Sequence, residues 1–167
     1  MTIDHRGRAA AFSVQLTRAH NELRRQIRSL QSNLGSSEPV SLATHCLAFC
    51  SALTSHHEGE DTGMFAELAK ARPDLAGKIA KLIEDHEMIG TILQRVADVA
   101  TSASRLHLPD GAPAPSDGPA LAKLKGELDG LAAIMESHFR FEERTVGAAL
   151  DEGITDTGWT GPVFRLE

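Results

Sequence analysis

Apolar residues recur at three-, four- and seven-residue spacings through four long stretches of this chain, and no stretch alternates with the two-residue period of a β-strand. The first stretch runs from about Ala9 to Leu34, with Phe12, Leu16, Leu23, Ile27, Leu30 and Leu34 on one face and Arg and Gln on the other. Gly35-Ser36-Ser37-Glu38-Pro39 stops it. A second begins at Ser41, a favoured N-cap residue, and carries Leu42, Phe49, Ala52, Leu53, Met64 and Leu68 to about Ala69. Pro73 sits where the first turn of a third helix belongs, and Leu75, Ile79, Leu82, Ile89, Leu93 and Val96 extend that helix to about Ser102. Residues 105–119 are too rich in proline for anything but a loop. The fourth stretch, about Ala120 to Leu150, carries Leu121, Leu124, Leu128, Leu131, Ile134 and Met135. Helices of this length joined by such turns predict an all-α, antiparallel up-down-up-down four-helix bundle. It is expected as a single domain over 1–167, with the bundle at about 9–150 and an irregular tail at 151–167, whose Trp159 and Phe164 are placed to pack back on it.

At 167 residues there is room for one sizeable core. A formal charge of −6 gives no reason to expect nucleic acid or an anionic membrane as partner. No apolar run approaches the ~18 residues of a membrane span. A polar start, Met1 to Arg8, and two cysteines imply a reduced, cytoplasmic setting. Cys46 and Cys50, four apart on one helix, read as small packing residues. Against this ordinary background stand eight histidines and no tyrosine.

Most of those histidines fall on the apolar stripes. Helix two holds His56-x-x-x-Glu60 and helix four holds His138-x-x-x-Glu142, each pair one turn apart on one face. His56 and Glu60 bracket the direction of Leu42, Phe49 and Leu53, and His138 and Glu142 continue the line of Leu124, Leu131 and Met135. His20 lies four residues after Leu16, and His86 four after Leu82. A lone histidine on an apolar face is ordinarily a hydrogen-bonded core residue. Two carboxylates and four histidines at one level are different, because burying ionised carboxylates without compensation is costly and invites a cation. Imidazole and carboxylate from facing helices are the donors of dinuclear iron or manganese sites. A hydrogen-bonded polar core without metal is the competing reading.

The combined order of His20-Asn-Glu-Leu, His56-x-x-x-Glu60 with Met64-Phe65, Asp85-His86-Glu87 and His138-x-x-x-Glu142 resembles the hemerythrin family, in particular its bacterial HHE cation-binding domains, over about residues 12–150. The resemblance implies a non-heme centre of two iron ions with an oxo or hydroxo bridge. His20, His56, His86 and His138 would be terminal ligands, and Glu60 and Glu142 bridging carboxylates. Helix three departs from the pattern of oxygen-carrying members, which place His-x-x-x-His there. Four residues after His86 is Gly90, and four before it is Leu82, neither able to ligate. His57, about 100° around the helix from His56, is expected along the helix flank, as ligand, outer partner or surface residue. Glu87 is a weaker candidate on the same ground. A site left one ligand short beside a glycine suits processing of peroxide or nitric oxide better than reversible oxygen carriage. The expected ligands are therefore O2, NO or H2O2, with oxygen or iron storage, sensing, or a metal-free regulatory bundle as alternatives.

Three weaker features complete the reading. His45 and Glu127 each lie eleven residues before a cluster histidine, which predicts a buried pair or a polar layer with Gln31, against two unrelated, partly exposed residues. Arg18, Arg24, Arg25 and Arg28 read as a solvated helix face. His5 and His107 fall in a ragged end and a loop.

Overall fold

A computed structural model describes residues 5–35, 39–105 and 118–152 of the chain. The loop with His107 and the tail with Trp159 and Phe164 lie outside the described residues. Among those described there is no strand. Helix α1 spans His5–Asn33, α2 Pro39–Gly59, α3 Phe65–Ala71, α4 Ala76–Arg105, α5 Pro119–Glu142 and α6 Ala148–Glu152. Two of these joints are continuous: a π-helical turn over Glu60–Met64 links α2 to α3, and another over Glu143–Gly147 links α5 to α6. Four long helical runs result, matching the four periodic stretches. Arg72, at φ −133° and ψ 77°, breaks the helix before Pro73, which opens a short 3₁₀ turn into α4. Arg72 also pairs with Asp74 and Glu152, 2.8 and 3.2 Å away, tying that turn to the end of α6. Gly118, extended at ψ 157°, precedes Pro119 at the first position of α5. No helix is long and apolar enough to cross a membrane.

Helix α2 packs against α4, α4 against α5, and α1 against both α2 and α5. The buried apolar residues divide into two clusters. One gathers Leu23, Ile27 and Leu30 with Phe49, Leu53, Ile89, Leu93, Leu124, Leu131 and Phe139. The other gathers Leu16 with Met64, Phe65, Leu68, Leu75, Ile79, Leu82, Val146 and Leu150. Each run passes between the clusters through polar residues: α1 at His20, α2 at His56 to Glu60, α4 at His86, and α5 at His138 to Glu142. The order alternates. Runs α1 and α4 start in the second cluster and end in the first, whereas α2–α3 and α5–α6 go the other way.

Cys46 and Cys50 are free thiols in the larger cluster, as expected of packing residues. Burial pushes the Cys46 thiol up to about 11 and the Cys50 thiol up to about 12. With an ordinary thiol near 8.5, the thiolate fraction of Cys46 at pH 8 falls to about 10⁻³. Both thiols should thus resist a disulfide-exchange reagent at pH 8 until denaturant is added, which a colorimetric thiol count measures directly.

The proposed His45–Glu127 pair does not form. His45 is exposed, beside a groove between α1 and α2 lined by Leu30, Leu42 and Phe49. Glu127 pairs with Arg95 at 3.1 Å, and Gln31 donates to Asp129 at 2.8 Å. His45 lies at the rim of the α2 stripe, about 60° from Leu42, and opens on the groove instead of the core.

Candidate metal centre

Between the two apolar clusters, His20, His56, His57, Glu60, His86, His138 and Glu142 are all buried, and Glu60 and Glu142 are at 0% exposure. The structure brings together all six residues singled out from the sequence, and it adds His57. The wheel of α2 explains the addition. Leu42, Leu53 and Glu60 mark a line passing between the two histidines, with His56 about 40° to one side and His57 about 60° to the other. The expectation that His57 lies along the flank measured it from His56, which is one edge of the stripe. Leu82 sits in the smaller apolar cluster, and Gly90 is exposed, so the glycine does not border the site. Glu87 is exposed as well.

The polar atoms converge closely. His56 Nε2 lies 2.9 Å from Glu60 Oε1, His20 Nε2 3.3 Å from Glu142 Oε2, and His20 Nε2 3.9 Å from Glu60 Oε1. On the other side His86 Nε2 is 3.5 Å from Glu60 Oε2, and His138 Nε2 is 3.6 Å from Glu142 Oε2. The Nε2 atoms of His86 and His138 face each other at 3.0 Å. Three overlapping groups each offer one ligand atom per residue within 4.8 Å of one another: His20, His56 and Glu60; Glu60, His86 and Glu142; and His57, His86 and His138. The two glutamates are the residues nearest to both sides.

Neither glutamate is satisfied by protein donors. All four of their carboxylate oxygens lack a hydrogen bond among the described residues, as does His20 Nε2. Burial, with Glu142 beside it, pushes the Glu60 carboxyl well above the usual carboxylate range. Against its burial, Glu142 is held below that range by the His20 imidazole facing it at 3.3 Å, with His138 and His56 nearby. Against its own burial, His20 is raised to about 9 by Glu142 and Glu143. Burial lowers His56 and His138 to about 4, and His57 well below its ordinary value. Buried imidazoles and carboxylates crowded at one level are the donor set a cation requires, and a cation would displace the proton that His20 holds. These residues fit a bound metal cation.

An outer ring of acids holds the imidazoles. His20 Nδ1–H donates to Glu143 Oε1 at 2.9 Å, and His86 Nδ1–H to Asp61 Oδ1 at 2.7 Å. Each acid directly follows a cluster glutamate in sequence, and each serves a histidine on another helix. Both lie in the first turn of a π-helical segment, where the wider winding re-aims consecutive side chains. Asp85 Oδ2 stands 3.6 Å from His138 Nδ1. Hydrogen bonds of this kind fix the tautomer and leave Nε2 facing the cluster. Arg24 extends the ring. It donates to Glu143 at 2.9 Å and Glu136 at 2.7 Å, with its guanidinium 5.3 Å from the Phe139 ring centre. Its place in a solvated face is therefore corrected: Arg18, Arg25 and Arg28 are exposed, but Arg24 is only 15% exposed. The signal was present in its position four residues after His20. Replacing Glu143 with Ala should weaken metal binding by about 10–100-fold, the usual cost of losing such a partner, measurable by competition with a chromophoric chelator.

The sequence model of the Hemerythrin HHE cation binding domain matches residues 12–150, a span that contains every residue of this cluster. The chain belongs to the hemerythrin HHE cation-binding family. Its membership agrees with the buried histidine and glutamate groups, which could hold metal ions. No match was found among curated proteins or among solved structures. The geometry of this HHE domain is thus read from its own residues.

Proposed function

We propose that this HHE domain holds two iron ions and processes a small ligand, O2, NO or H2O2, at the pair. The observation that carries this reading is the set of four carboxylate oxygens, fully buried and without hydrogen-bond donors, facing buried imidazoles. In the proposed arrangement His20, His56, His86 and His138 are terminal ligands, and Glu60 and Glu142 bridge. A bound iron pair supplies one- and two-electron chemistry that no side chain here can perform.

The protein's own residues do the rest. Glu143 and Asp61 accept the Nδ1 protons of His20 and His86, which orients each ring with Nε2 toward the site. Glu143 is 25% exposed and Asp61 31%, so each also connects a buried imidazole to solvent, a path by which a proton can follow an electron. A cleft of about 420 Å³, lined by Lys81, Asp85, Met88, Phe141 and Arg144, reaches His138 and gives a small ligand a way in. The apolar clusters on either side exclude bulk water.

The alternating order in which the four runs meet the two clusters supports an antiparallel up-down-up-down bundle, and we take 1–167 as one domain. Two free, buried thiols fit a cytoplasmic setting. Titrating the anaerobic ferrous protein with oxygen, nitric oxide and peroxide in turn tests the function: turnover of peroxide or nitric oxide is expected. A reversible oxygen complex that persists, with no turnover of either, would make the domain a carrier or store instead. Because His20, held at about 9 in the metal-free protein, must release its proton to bind metal, iron affinity should fall as the pH drops through about 9, read by dialysis at graded pH.

A further inference from the structure

The cluster contains a histidine, left open between ligand, outer partner and surface residue by the sequence, that the proposed six-ligand arrangement does not use. His57 is 5% exposed, and its ring stacks on His86 with centroids 3.9 Å apart and an interplanar angle of 10°. It also stands edge-on to His138, centroids 5.3 Å apart at 78°. His57 Nε2 is buried and makes no hydrogen bond among the described residues. A buried imidazole nitrogen with no partner is costly as a purely structural feature, so packing alone is a poor account of it.

The arrangement around it is directional. His86 Nδ1–H donates to Asp61, which leaves His86 Nε2 to accept a hydrogen bond from His138 Nε2–H at 3.0 Å. One nitrogen each from His57, His86 and His138 lies within 4.8 Å of the others. The His86–His138 hydrogen bond leaves His57 Nε2 as the one nitrogen of the three without a partner, and a cation reached by a turn of the His57 ring off its stack would supply one. Phe65, stacked at 5.5 Å on His86, and Phe139, 5.8 Å from His138, keep the surroundings apolar and offer no competing donor. One turn before and after His86, helix α4 offers no ligand, since Leu82 packs in the apolar cluster and Gly90 faces solvent, and its Asp85 stands on the Nδ1 side of His138.

We infer that His57 is a metal ligand, its Nε2 completing a three-imidazole site with His86 and His138 on one ion of the pair, while His20 and His56 serve the other. The inference rests on the proposed metal pair. It assigns the two ions unlike surroundings, three imidazoles against two, and it places the extra imidazole on α2, next to His56 in sequence.

Two substitutions separate ligation from packing. His57→Phe keeps a flat ring to stack on His86 and removes the nitrogens, and His57→Ala opens a ring-sized space. Iron is loaded anaerobically, weakly held iron is removed by gel filtration, and the metal is counted per chain. Two irons are expected in the parent and one in each variant, with added imidazole restoring the second iron to His57→Ala. Retention of two irons by His57→Phe, at the parent's affinity, overturns the inference. A measurement on the parent avoids any dependence on variant folding. In the protein loaded with zinc as a diamagnetic stand-in, long-range proton–nitrogen spectra should show His57 Nε2 shifting on metal binding, and an unchanged resonance overturns the inference. A parent that retains no metal pair defeats the proposed function itself, an outcome distinct from a parent with two irons whose His57→Phe variant also keeps two.

Discussion

The metal-free double variant Glu60→Met, Glu142→Met should melt above the metal-free parent and bind no metal pair. Both glutamates are at 0% exposure, and none of their four oxygens is hydrogen-bonded among the described residues. Methionine fills a similar volume without a charge to desolvate. Exchanging a buried charged cluster for apolar side chains is often stabilising by about 1–4 kcal/mol, or roughly 3–12 °C in a domain of this size. The parent is expected to regain and exceed that stability on loading metal, because a ligand that binds only the folded state stabilises it. The variant should show no such rise. Calorimetry in chelator and then in excess ferrous iron reads both effects. A variant that melts lower in chelator would mean that the carboxylates support the fold without a cation, as the metal-free reading requires.

Replacing Phe139 with Ala is expected to cost about 3–5 kcal/mol, a large fraction of the total stability of a domain. Phe139 is completely buried where the larger apolar cluster meets the polar one. Its ring stacks on His20 at 3.9 Å and 9°, stands edge-on to His56 at 6.2 Å, and lies under Arg24. One side chain therefore fills the core, holds a proposed ligand flat and seats the guanidinium that braces Glu143. The loss should appear as an earlier urea midpoint with an unchanged slope. Iron retention should fall with it. Leucine at 139 separates the two roles: it should recover most of the stability by filling the volume, while His20, without its flat support, still holds iron less well than in the parent.

Much of this architecture was legible because long helices write their inward face at a fixed period. The stripes through Leu16, Leu53, Leu82 and Leu131 marked the four runs, and histidines on those stripes marked the cluster. Glu60 and Glu142 stood out because apolar stripes rarely carry carboxylates. What escaped depended on angular precision and on contacts between helices. His57 was misplaced because one helix wheel does not reveal the centre of a stripe until its packing partners are known. His45, only about 20° from the line of His56, met a groove between α1 and α2 where the core was expected. Arg24 differed from its exposed neighbours only in falling four residues after His20, and its role followed from Glu136 and Phe139 on α5 and Glu143 in the turn after it. The π-helical turns that aim Asp61 and Glu143 left no periodic signature, because each is a single turn.

The central claim, that buried carboxylates and imidazoles from four helical runs enclose a metal pair, is tested most directly by counting iron. Protein reconstituted anaerobically with ferrous iron and stripped of loosely held metal should retain two irons per chain and develop near-ultraviolet absorption on oxidation. His56→Ala and Glu60→Ala should lose both the iron and the absorption. A parent that retains no iron, or a Glu60→Ala protein that keeps as much iron as the parent, would contradict the account.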